Sequence, residues 1–506
     1  MSSGTPVQAD SARDTADLAR FGYKQELKRT LGTFSSFAVA FSYISPSTGI
    51  FTLYALGLSF LGGAFFWTWP LVFLGQLMVA LNFAELSSHY PVAGSVFQWT
   101  KYLAGPRYAW FTGWIYLWAG VITVTAVVVT LPIALIPALN GMGIAMENSL
   151  ENQRIIAVIT LVLITVLNIF GVKLVAIVNN TGVVFEILGM VVFAGILAAF
   201  HNRQGVGVVF NTGGQPVNFS TFTAAMFMSL FVIYGFDTAS TLAEETRDPR
   251  REAPKAVLAS IIGAFVIGVI FLWGTLMAVP DLKDAIAKGM GPAQIIEANF
   301  SPVMATTYLL VVAAAIFVCC LSIMTSTIRL AFGMARDGQL PLSGPLAKVS
   351  PTLHTPIGAC VAVGLLAAVP LLQYAGAAYI AIAATGMIYL SYLLGNLATL
   401  RARLAGWPRA TAPFSLRKWG TTVNVLALLW GGAMLVNFAY PRACCNPRPT
   451  ETVSGDVQLL NFHNGFFNSV PVLWTVFAAI LLLGVVYYFG VQAKKPLTPV
   501  VVPADR

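Results

Sequence analysis

Apolar segments of about 20 residues recur along this sequence, and they constrain its fold more than any other feature. Of its 506 residues, 57% are hydrophobic and only 10% are charged, whereas about a quarter of the residues in a soluble protein are charged. Inside a bilayer the backbone must satisfy its own hydrogen bonds, so only helices and closed barrels span it. Segments of this length are typical of helices, and the sequence therefore predicts an all-α polytopic membrane protein.

Twelve segments are long and apolar enough to be predicted as membrane-spanning helices. We expect them at 34–58, 62–86, 110–136, 155–171, 175–200, 222–243, 253–279, 303–330, 356–373, 376–400, 419–438 and 471–490. The corresponding division of the chain is an N-terminal tail at 1–30, five helices at 31–202, five more at 203–405, a final pair at 406–492 and a C-terminal tail at 493–506.

The distribution of basic residues predicts the orientation of these helices. An even number of spans places both termini on one side of the membrane. Six of the 29 Lys and Arg residues lie on the opposite side, and the other 23 lie in the termini or in loops on their side. Basic loops stay in the cytoplasm, so we expect cytoplasmic termini and a location in the plasma membrane. The basic stretch Tyr23–Arg29 is suited to the cytoplasmic membrane surface.

A carboxylate interrupts the sixth apolar segment. Gly235 is followed two residues later by Asp237, and the apolar run resumes only as far as Ala243. A charge that faces lipid is costly, and an irregular backbone is tolerated only inside the protein or along a cavity. We therefore interpret this segment as a discontinuous helix at a binding site. The alternative role for Asp237 is to cap the second half of the helix.

The first segment carries a second interruption, at Ser45-Pro46-Ser47-Thr48-Gly49. Proline removes a backbone donor and glycine loosens the chain, while the three hydroxyls offer replacement hydrogen bonds. A plain proline kink is the alternative, because such kinks are common in membrane helices.

The two interruptions lie five spans apart, so the two helices enter the membrane from opposite sides. Interrupted first helices in two successive five-helix blocks are typical of inverted-repeat secondary transporters. We therefore predict a five-plus-five inverted repeat with broken helices one and six, followed by two peripheral helices.

Several motifs resemble those of a known family. They are Ser47–Phe51, Ala84–Ser95, Tyr234–Asp237, Glu244–Pro249, Pro254–Ala256 and Arg329–Gly338. In this order and at this spacing the motifs resemble the amino acid–polyamine–organocation (APC) superfamily, and within it the amino acid/choline transporter branch that includes GABA and choline permeases. The resemblance implies a central substrate site between helices one, three, six, eight and ten.

The break in helix one is predicted to bind a substrate carboxylate. The backbone N–H groups of Thr48, Gly49 and Ile50 begin the second half of the helix, where the helix dipole favours an anion. Gly49 would let the ligand approach the backbone closely. The hydroxyls of Ser47 and Thr48 would supply further donors.

A substrate ammonium group needs acceptors instead, and backbone carbonyls released by the two breaks would supply them. We expect these carbonyls near Tyr43–Ser45 in helix one and at Ile233, Tyr234 and Gly235 in helix six. The resemblance implies an aromatic gate at Phe231, six residues before Asp237. The ring of Phe231 would cap the cavity or stack over a cationic group.

Glu186 is the only ionisable residue near the middle of the fifth span. We predict that it couples transport to protons, with Asp237 as a second candidate, because a buried carboxyl group can take up and release a proton between two access states. One alternative is that Glu186, with Ser322, Thr325 and Ser326, supplies oxygens to a sodium ion. The other is a permanently protonated glutamic acid bonded to a neighbouring helix.

Charged residues at the cytoplasmic ends of the helices are predicted to form a gate. We expect Arg329 or Arg336 to pair with Glu85 or Asp248 and thereby to close the inner entrance. For most other charges in these loops, a solvated surface is the expected environment.

Together these features predict a secondary active transporter that imports an amino acid or a GABA-like amine by alternating access. The sequence has no P-loop and no metal-ligand spacing, and its four histidines are scattered, so we expect neither an enzyme nor a cofactor, metal ion or nucleic-acid partner. The expected partners are the substrate, a proton and the lipid bilayer. The alternatives are a sodium-coupled or exchange-type transporter of choline or polyamines, and a nutrient sensor with the same fold.

Overall fold

The structure is a computed structural model that describes residues 6–373, 377–440 and 472–495. The α-helices in these ranges are α1 (Pro6–Ala19), α2 (Thr33–Ile44), α3 (Pro46–Leu61), α4 (Thr68–His89), α5 (Ser95–Ala104), α6 (Pro106–Val128), α7 (Leu131–Gly141), α8 (Leu150–Ile169), α9 (Val172–Phe200), α10 (Phe219–Val232), α11 (Thr238–Thr241), α12 (Pro249–Met277), α13 (Leu282–Lys288), α14 (Pro292–Asn299), α15 (Pro302–Arg336), α16 (Ser343–Ala347), α17 (Ile357–Ala368), α18 (Ala377–Leu404), α19 (Gly420–Ala439) and α20 (Val472–Gly490). The described residues contain a single isolated β-bridge, between Leu31 and Thr246. The predicted all-α class is confirmed, and most of the predicted tail at 493–506 lies outside the described residues.

Nine helical segments in the described ranges are long and apolar enough to cross a membrane, and the apolar helices Phe219–Val232 and Ile357–Leu372 are shorter. Large apolar side chains on α8 and α9 point outward, since Val162 is 56% exposed and Phe185 is 57% exposed. A soluble protein rarely exposes such contiguous apolar surface. These faces are suited to contact with lipid.

Several helix ends differ from the predicted spans. The second span begins at Thr68 instead of residue 62, because Gly62–Trp67 form a 3-10 turn. The third span is divided between α6 and α7. The eighth continues to Arg336, beyond the apolar run. Hydropathy alone does not register these turns, nor the polar extension of the eighth helix, where Arg336 pairs with Glu244.

Only Ser45 separates α2 from α3. Its backbone lies in the left-handed region, with φ 36° and ψ 86°, which residues other than glycine seldom adopt. Pro46 has no N–H, so the carbonyl of Ser42 loses its helical partner. The Ser45 hydroxyl accepts a hydrogen bond from the Thr48 N–H at 3.4 Å and caps α3. The first membrane helix is therefore interrupted, and not merely kinked.

A longer irregular stretch interrupts the sixth membrane helix. α10 ends at Val232 and α11 begins at Thr238, and Gly235 between them has a φ of 89°. Glycine adopts this conformation without steric cost. α11 is a single turn followed by the 3-10 turn Ala243–Glu245.

The two broken helices lie antiparallel at the centre of the bundle. α3, the second half of the first, packs against α10, the first half of the other, and α11 packs against α2. The long helix α15 contacts α2, α3, α6, α9 and α11, and α18 packs along α6. α12 lies against α2, α4 and α9, and α19 covers α4 and α18. These helices therefore surround the two breaks inside the bundle.

Candidate functional site

The carboxylate of Glu186 reaches from α9 into the break of the first membrane helix. Its Oε1 atom accepts hydrogen bonds from the Ser45 hydroxyl at 2.7 Å, the Ser47 hydroxyl at 2.6 Å and the Ser47 N–H at 3.2 Å. Glu186 is only 2% exposed. A carboxylate at the N-terminus of a helix is favoured by the unpaired N–H groups and by the helix dipole. The sequence singled out Glu186 and this break separately, and the structure brings them together.

The donors predicted for a substrate carboxylate already have partners inside the protein. The Thr48 N–H donates to the Ser45 hydroxyl, and the Gly49 N–H donates to the Ser45 carbonyl at 3.3 Å. The Thr48 hydroxyl lies 2.6 Å from that of Ser45, while Ile50 lies buried further along α3. Glu186 thus occupies the position in which a substrate carboxylate was expected.

The two glycines of the breaks make the close contacts between the broken helices. A Cβ atom on Gly49 would overlap the side chain of Val232 at the end of α10. A Cβ atom on Gly235 would overlap the ring of Tyr43 at the end of α2. The sequence predicted that Gly49 faces a ligand, whereas here both glycines face a neighbouring helix.

Three aromatic rings lie between the breaks. Tyr234 packs edge-on against Tyr43 and against Phe231, with ring centroids 6.2 Å apart in each pair. The side chains of Tyr43 and Tyr234 both interact with Thr123 of α6, and Tyr234 also interacts with Thr385 of α18. The predicted aromatic gate Phe231 is therefore next to a cluster formed by four membrane helices.

The predicted carbonyl acceptors are partly used by the protein. The Tyr43 carbonyl accepts a weak hydrogen bond from the Cys319 thiol, with Sγ and O 3.5 Å apart. The Gly235 carbonyl accepts from the Thr238 N–H at 3.0 Å. Among the hydrogen bonds of the described residues, none is made to the carbonyls of Ile233 and Tyr234. These two acceptors remain for a ligand or for water.

Asp237 is held by three hydroxyl groups from other parts of the chain. Its Oδ2 atom accepts from the Ser95 hydroxyl at 2.5 Å and from Tyr116 of α6, and its Oδ1 atom accepts from Tyr392 of α18. Tyr392 in turn accepts a hydrogen bond from the Gly235 N–H at 2.9 Å. The chain of bonds links the break to α5, α6 and α18.

The capping alternative for Asp237 is wrong. Asp237 stands at the N-cap position of α11, but its side chain makes no cap hydrogen bond there, because three hydroxyls engage both carboxylate oxygens. Ser95 is the last residue of the motif Ala84–Ser95, whereas nothing in the sequence indicates Tyr116 and Tyr392 as partners.

The hydroxyls of α15 proposed as sodium ligands bond elsewhere. Thr325 donates to Asn168 of α8 at 2.8 Å, and Ser322 donates to Asn179 of α9 at 3.0 Å. Ser326 accepts from Thr238 at 3.4 Å. In the described part of the chain, no group of three or more His, Cys, Asp and Glu side chains is arranged to hold a metal ion.

We call the face formed by residues 85–101, 243–255, 329–348 and 401–418 the basic side, and two of its ion pairs join α15 to the end of the sixth membrane helix. Arg329 binds Glu245 through two nitrogens, at 2.8 and 3.2 Å, and both side chains are at most 1% exposed. Arg336 binds both oxygens of Glu244, at 2.7 and 2.9 Å.

The partners predicted for these arginines are therefore wrong. Glu85 binds Arg403 of α18 and accepts bonds at 3.0 Å from the Ser415 hydroxyl and the Leu416 N–H. Asp248 is partly exposed and pairs with Arg13 at 3.4 Å. The physical reason is the short second half of the sixth helix, which leaves Glu244 and Glu245, and not Asp248, beside α15.

The ion pair between Arg336 and Glu244 stabilises the charged form of Glu244. Burial alone would raise the pKa of Glu244. The Arg336 guanidinium and the Ala93 N–H, which donates at 3.0 Å, lower this pKa by more than burial raises it. The pKa of Glu244 therefore lies below its ordinary value, and its carboxylate is ionised. Removal of either partner would leave an uncompensated buried charge.

The sequence of this chain is similar to those of known amino acid permeases. Residues 31–452 match the protein-family model described as "Amino acid permease". The chain is 31% identical to the "Amino-acid permease BAT1" of Arabidopsis thaliana, with 86% of this chain and 90% of that protein covered. It is 28% identical to the "Branched-chain amino acid permease BcaP" of Bacillus subtilis, covering 66% and 72%. It is 25% identical to the "GABA-specific permease" of Saccharomyces cerevisiae, covering 70% and 65%.

Proposed function

We propose, from the premise that this chain belongs to the amino acid permease family of the APC superfamily, that it imports an amino acid or a GABA-like amine by proton-coupled alternating access. Membership makes the chain an integral membrane amino acid transporter and not an enzyme, as the sequence predicted. The main support for the proposal is that the Glu186 side chain accepts hydrogen bonds from Ser45 and Ser47 inside the break of the first membrane helix.

The proposed architecture has twelve membrane helices, of which the first ten form an inverted repeat. The apolar segment Thr33–His89 is long enough for two crossings, and the shorter helices α10 and α17 complete the set with the remaining long helices. The packing of α3 on α10 and of α11 on α2 is what two inverted, broken helices would give. In the proposed orientation the basic side and both termini lie in the cytoplasm and the protein resides in the plasma membrane, an orientation that the excess of basic residues supports.

The proposed substrate site lies between the two breaks. The carbonyls of Ile233 and Tyr234 would accept hydrogen bonds from the substrate ammonium group, under the ring of Phe231. The substrate carboxylate would bind at the start of α3, near Ser47 and Gly49. Both hydrogen-bonding ends of a zwitterion would then be matched, and Asp237, whose oxygens three hydroxyls occupy, would not contact the ammonium group.

Proton coupling follows from competition at the start of α3. A substrate carboxylate and the carboxylate of Glu186 need the same donors of Ser45 and Ser47. Uptake of a proton by Glu186 turns one acceptor oxygen into a donor and weakens its hold on these groups. The substrate carboxylate can then take its place, so proton and substrate bind together. Asp237 is a second candidate for proton exchange, through Ser95 and the two tyrosines.

The alternatives receive less support. Sodium coupling would need Glu186 together with Thr325 and Ser326, whereas Glu186 bonds to Ser45 and Ser47. The hydroxyls of Thr325 and Ser326 bond to Asn168 and Thr238. Choline lacks the carboxylate that would compete with Glu186. In the proposed cycle the pairs of Arg329 with Glu245 and of Arg336 with Glu244 close the cytoplasmic entrance, while Glu85 ties α4 to α18.

Uptake of labelled solutes into proteoliposomes tests this function. The panel contains branched-chain and other neutral amino acids, GABA, choline and a polyamine, each measured with an inward proton gradient, an inward sodium gradient and neither. We expect a zwitterion to accumulate with the proton gradient only. Accumulation of choline or the polyamine alone, dependence on sodium, or no transport of any solute would contradict the proposal.

A further inference from the structure

Residues 14–31, which precede the first membrane helix, lie against the basic side; we call them the N-terminal clasp. The N–H groups of Thr30 and Leu31 both donate to the Glu245 carbonyl at 2.9 Å, and the Arg247 N–H donates to the Leu31 carbonyl at 3.0 Å. These backbone bonds join the clasp to the end of the second broken helix, at the residue whose side chain binds Arg329.

Two side chains of the clasp satisfy carbonyls at the same helix end. Arg29 donates to the carbonyl of Ala243 at 3.1 Å and to that of Thr246 at 2.7 Å, and Gln25 donates to the carbonyl of Glu244 at 2.9 Å. The last carbonyls of a helix have no partner within it. A charged donor such as Arg29 makes the stronger kind of hydrogen bond to them.

Tyr23 connects the clasp to the end of α15. Its hydroxyl donates to Asp337 at 2.7 Å, and the Arg336 guanidinium lies 3.9 Å from the centre of its ring. Lys101 of α5 binds the same hydroxyl and also Asp337. Burial and the charge of Asp337 raise the pKa of Tyr23 above its ordinary value, so the phenol stays a donor. The clasp thus packs on the arginine that pairs with Glu244.

Apolar side chains anchor the clasp between these polar contacts. Leu18, Leu27 and Leu31 are at most 2% exposed, and Phe21 packs edge-on against Tyr102 of α5. The sequence predicted that Tyr23–Arg29 lie on the membrane surface; the segment instead contacts the protein's own helix ends. Burial of these side chains adds to the free energy that holds the segment in place.

We propose that the N-terminal clasp locks the basic side in its closed state and must detach before this side opens. The inference rests on the proposed alternating access, in which the basic side opens to the cytoplasm. Opening moves the second half of the sixth helix away from α15. The clasp is bonded to the former through Arg29 and Gln25 and to the end of the latter through Tyr23, so it cannot follow both, and one of these sets of bonds must break. A weakened clasp therefore shifts the population toward the state that is open on the basic side.

The accessibility of an introduced cysteine tests this inference without any substrate. Ser240 of α11 is 1% exposed and lies just inside the buried ion pairs. The variant Ser240→Cys would be treated with a membrane-impermeant maleimide in inside-out membrane vesicles, and labelling of the natural cysteines would be subtracted using the chain without this change. Arg29→Gln is then introduced, and Lys28→Gln, which removes the same charge from an exposed neighbouring residue, is the matched control.

We expect Arg29→Gln to speed the labelling by at least roughly tenfold, since it removes two charge-assisted hydrogen bonds and one alone is worth about a factor of ten in a two-state equilibrium. Lys28→Gln should leave the rate unchanged, and Tyr23→Ala should act as Arg29→Gln does. Equal labelling rates in Arg29→Gln, Tyr23→Ala and the parent, with normal elution of each from a sizing column, would overturn the inference. Because the assay needs no solute, it can succeed even if the uptake panel fails, and it can fail even if uptake is confirmed.

Discussion

Glu186 of α9 and Ser47 of α3 are joined by two hydrogen bonds, one from the Ser47 hydroxyl and one from its backbone N–H. The bonds fix the start of α3 to a helix that is not part of either broken segment. Any movement of the first broken helix relative to α9 must therefore break them or carry Glu186 along. A change in the protonation of Glu186 therefore changes the strength of the hydrogen bonds that hold the first broken helix to α9.

Glu186→Gln is expected to separate transport from its driving force. The amide keeps the shape of the side chain and one acceptor oxygen, but it cannot titrate. Exchange of labelled for unlabelled substrate across proteoliposomes should remain largely intact, while accumulation driven by an inward proton gradient should be lost. Glu147→Gln makes the same chemical change in an exposed loop and should behave as the parent does. Accumulation by Glu186→Gln against the substrate gradient would exclude this role.

Gly49→Ala is expected to destabilise the contact between the broken helices. The new methyl group would overlap Val232, and overpacking of this kind costs about 1–3 kcal/mol. Thermal unfolding in detergent and the uptake rate should both fall, and adding Val232→Ala should restore much of the loss, because the two changes meet at one contact. Gly195→Ala on α9, which meets no atom within 4 Å, is the control. Equal stability of Gly49→Ala and Gly195→Ala would show that the close packing is unimportant.

Gly235→Ala is expected to be more harmful than Gly49→Ala. Besides overlapping the Tyr43 ring, alanine must adopt a φ of 89° there, a conformation that costs about 1–3 kcal/mol for a residue with a Cβ atom. Substrate affinity and thermal stability should both decrease. A variant that unfolds at the same temperature as the parent and transports normally would contradict the described geometry of this break.

Tyr392→Phe is expected to weaken the protein more than Tyr116→Phe. Loss of the Tyr392 hydroxyl removes a donor to Asp237 and also the partner of the Gly235 N–H, whereas Tyr116 supplies a donor only. A buried group left without a partner costs about 1–3 kcal/mol. Unfolding temperatures of the two variants measure the difference, and Tyr308→Phe, whose hydroxyl has no hydrogen-bond partner among the described residues, serves as the reference. The opposite order for Tyr392 and Tyr116 would refute the assigned bonds.

Arg329→Met is expected to lower the free energy of unfolding by about 3–5 kcal/mol, because it leaves the buried carboxylate of Glu245 without its partner. Adding Glu245→Met should recover most of this loss. Lys288→Met breaks a surface pair with Asp284 and should leave the unfolding temperature unchanged. If the double variant were no more stable than Arg329→Met, the pairing would not explain the loss.

Features carried by one segment could be predicted from the sequence. Proline and glycine indicate the breaks near Ser45 and Gly235, because each residue alters the conformation or the hydrogen bonding of its own backbone. Glu186 is conspicuous because a lone carboxylate is rare in an apolar helix. The helical class likewise follows from the length of each apolar run.

Features that depend on how helices face one another could not be predicted. The partners of Arg329 and Arg336 depend on how far the sixth helix continues after its break, and the apolar run does not show that it ends in a single turn and a 3-10 turn. The hydroxyls around Asp237 come from α5, α6 and α18, and a tyrosine in an apolar helix gives no sign of the side to which it points. The donors of α3 were predicted to be vacant because the sequence does not reveal that Glu186 reaches them.

The pH inside proteoliposomes during substrate uptake tests the central claim most directly. An entrapped pH indicator would report proton entry after addition of the amino acid that the uptake panel identifies, with no initial proton or sodium gradient. The account predicts that the lumen acidifies with the same time course as substrate entry, and that Glu186→Gln abolishes this acidification. Substrate entry without acidification in the parent protein, or equal acidification in Glu186→Gln, would contradict it.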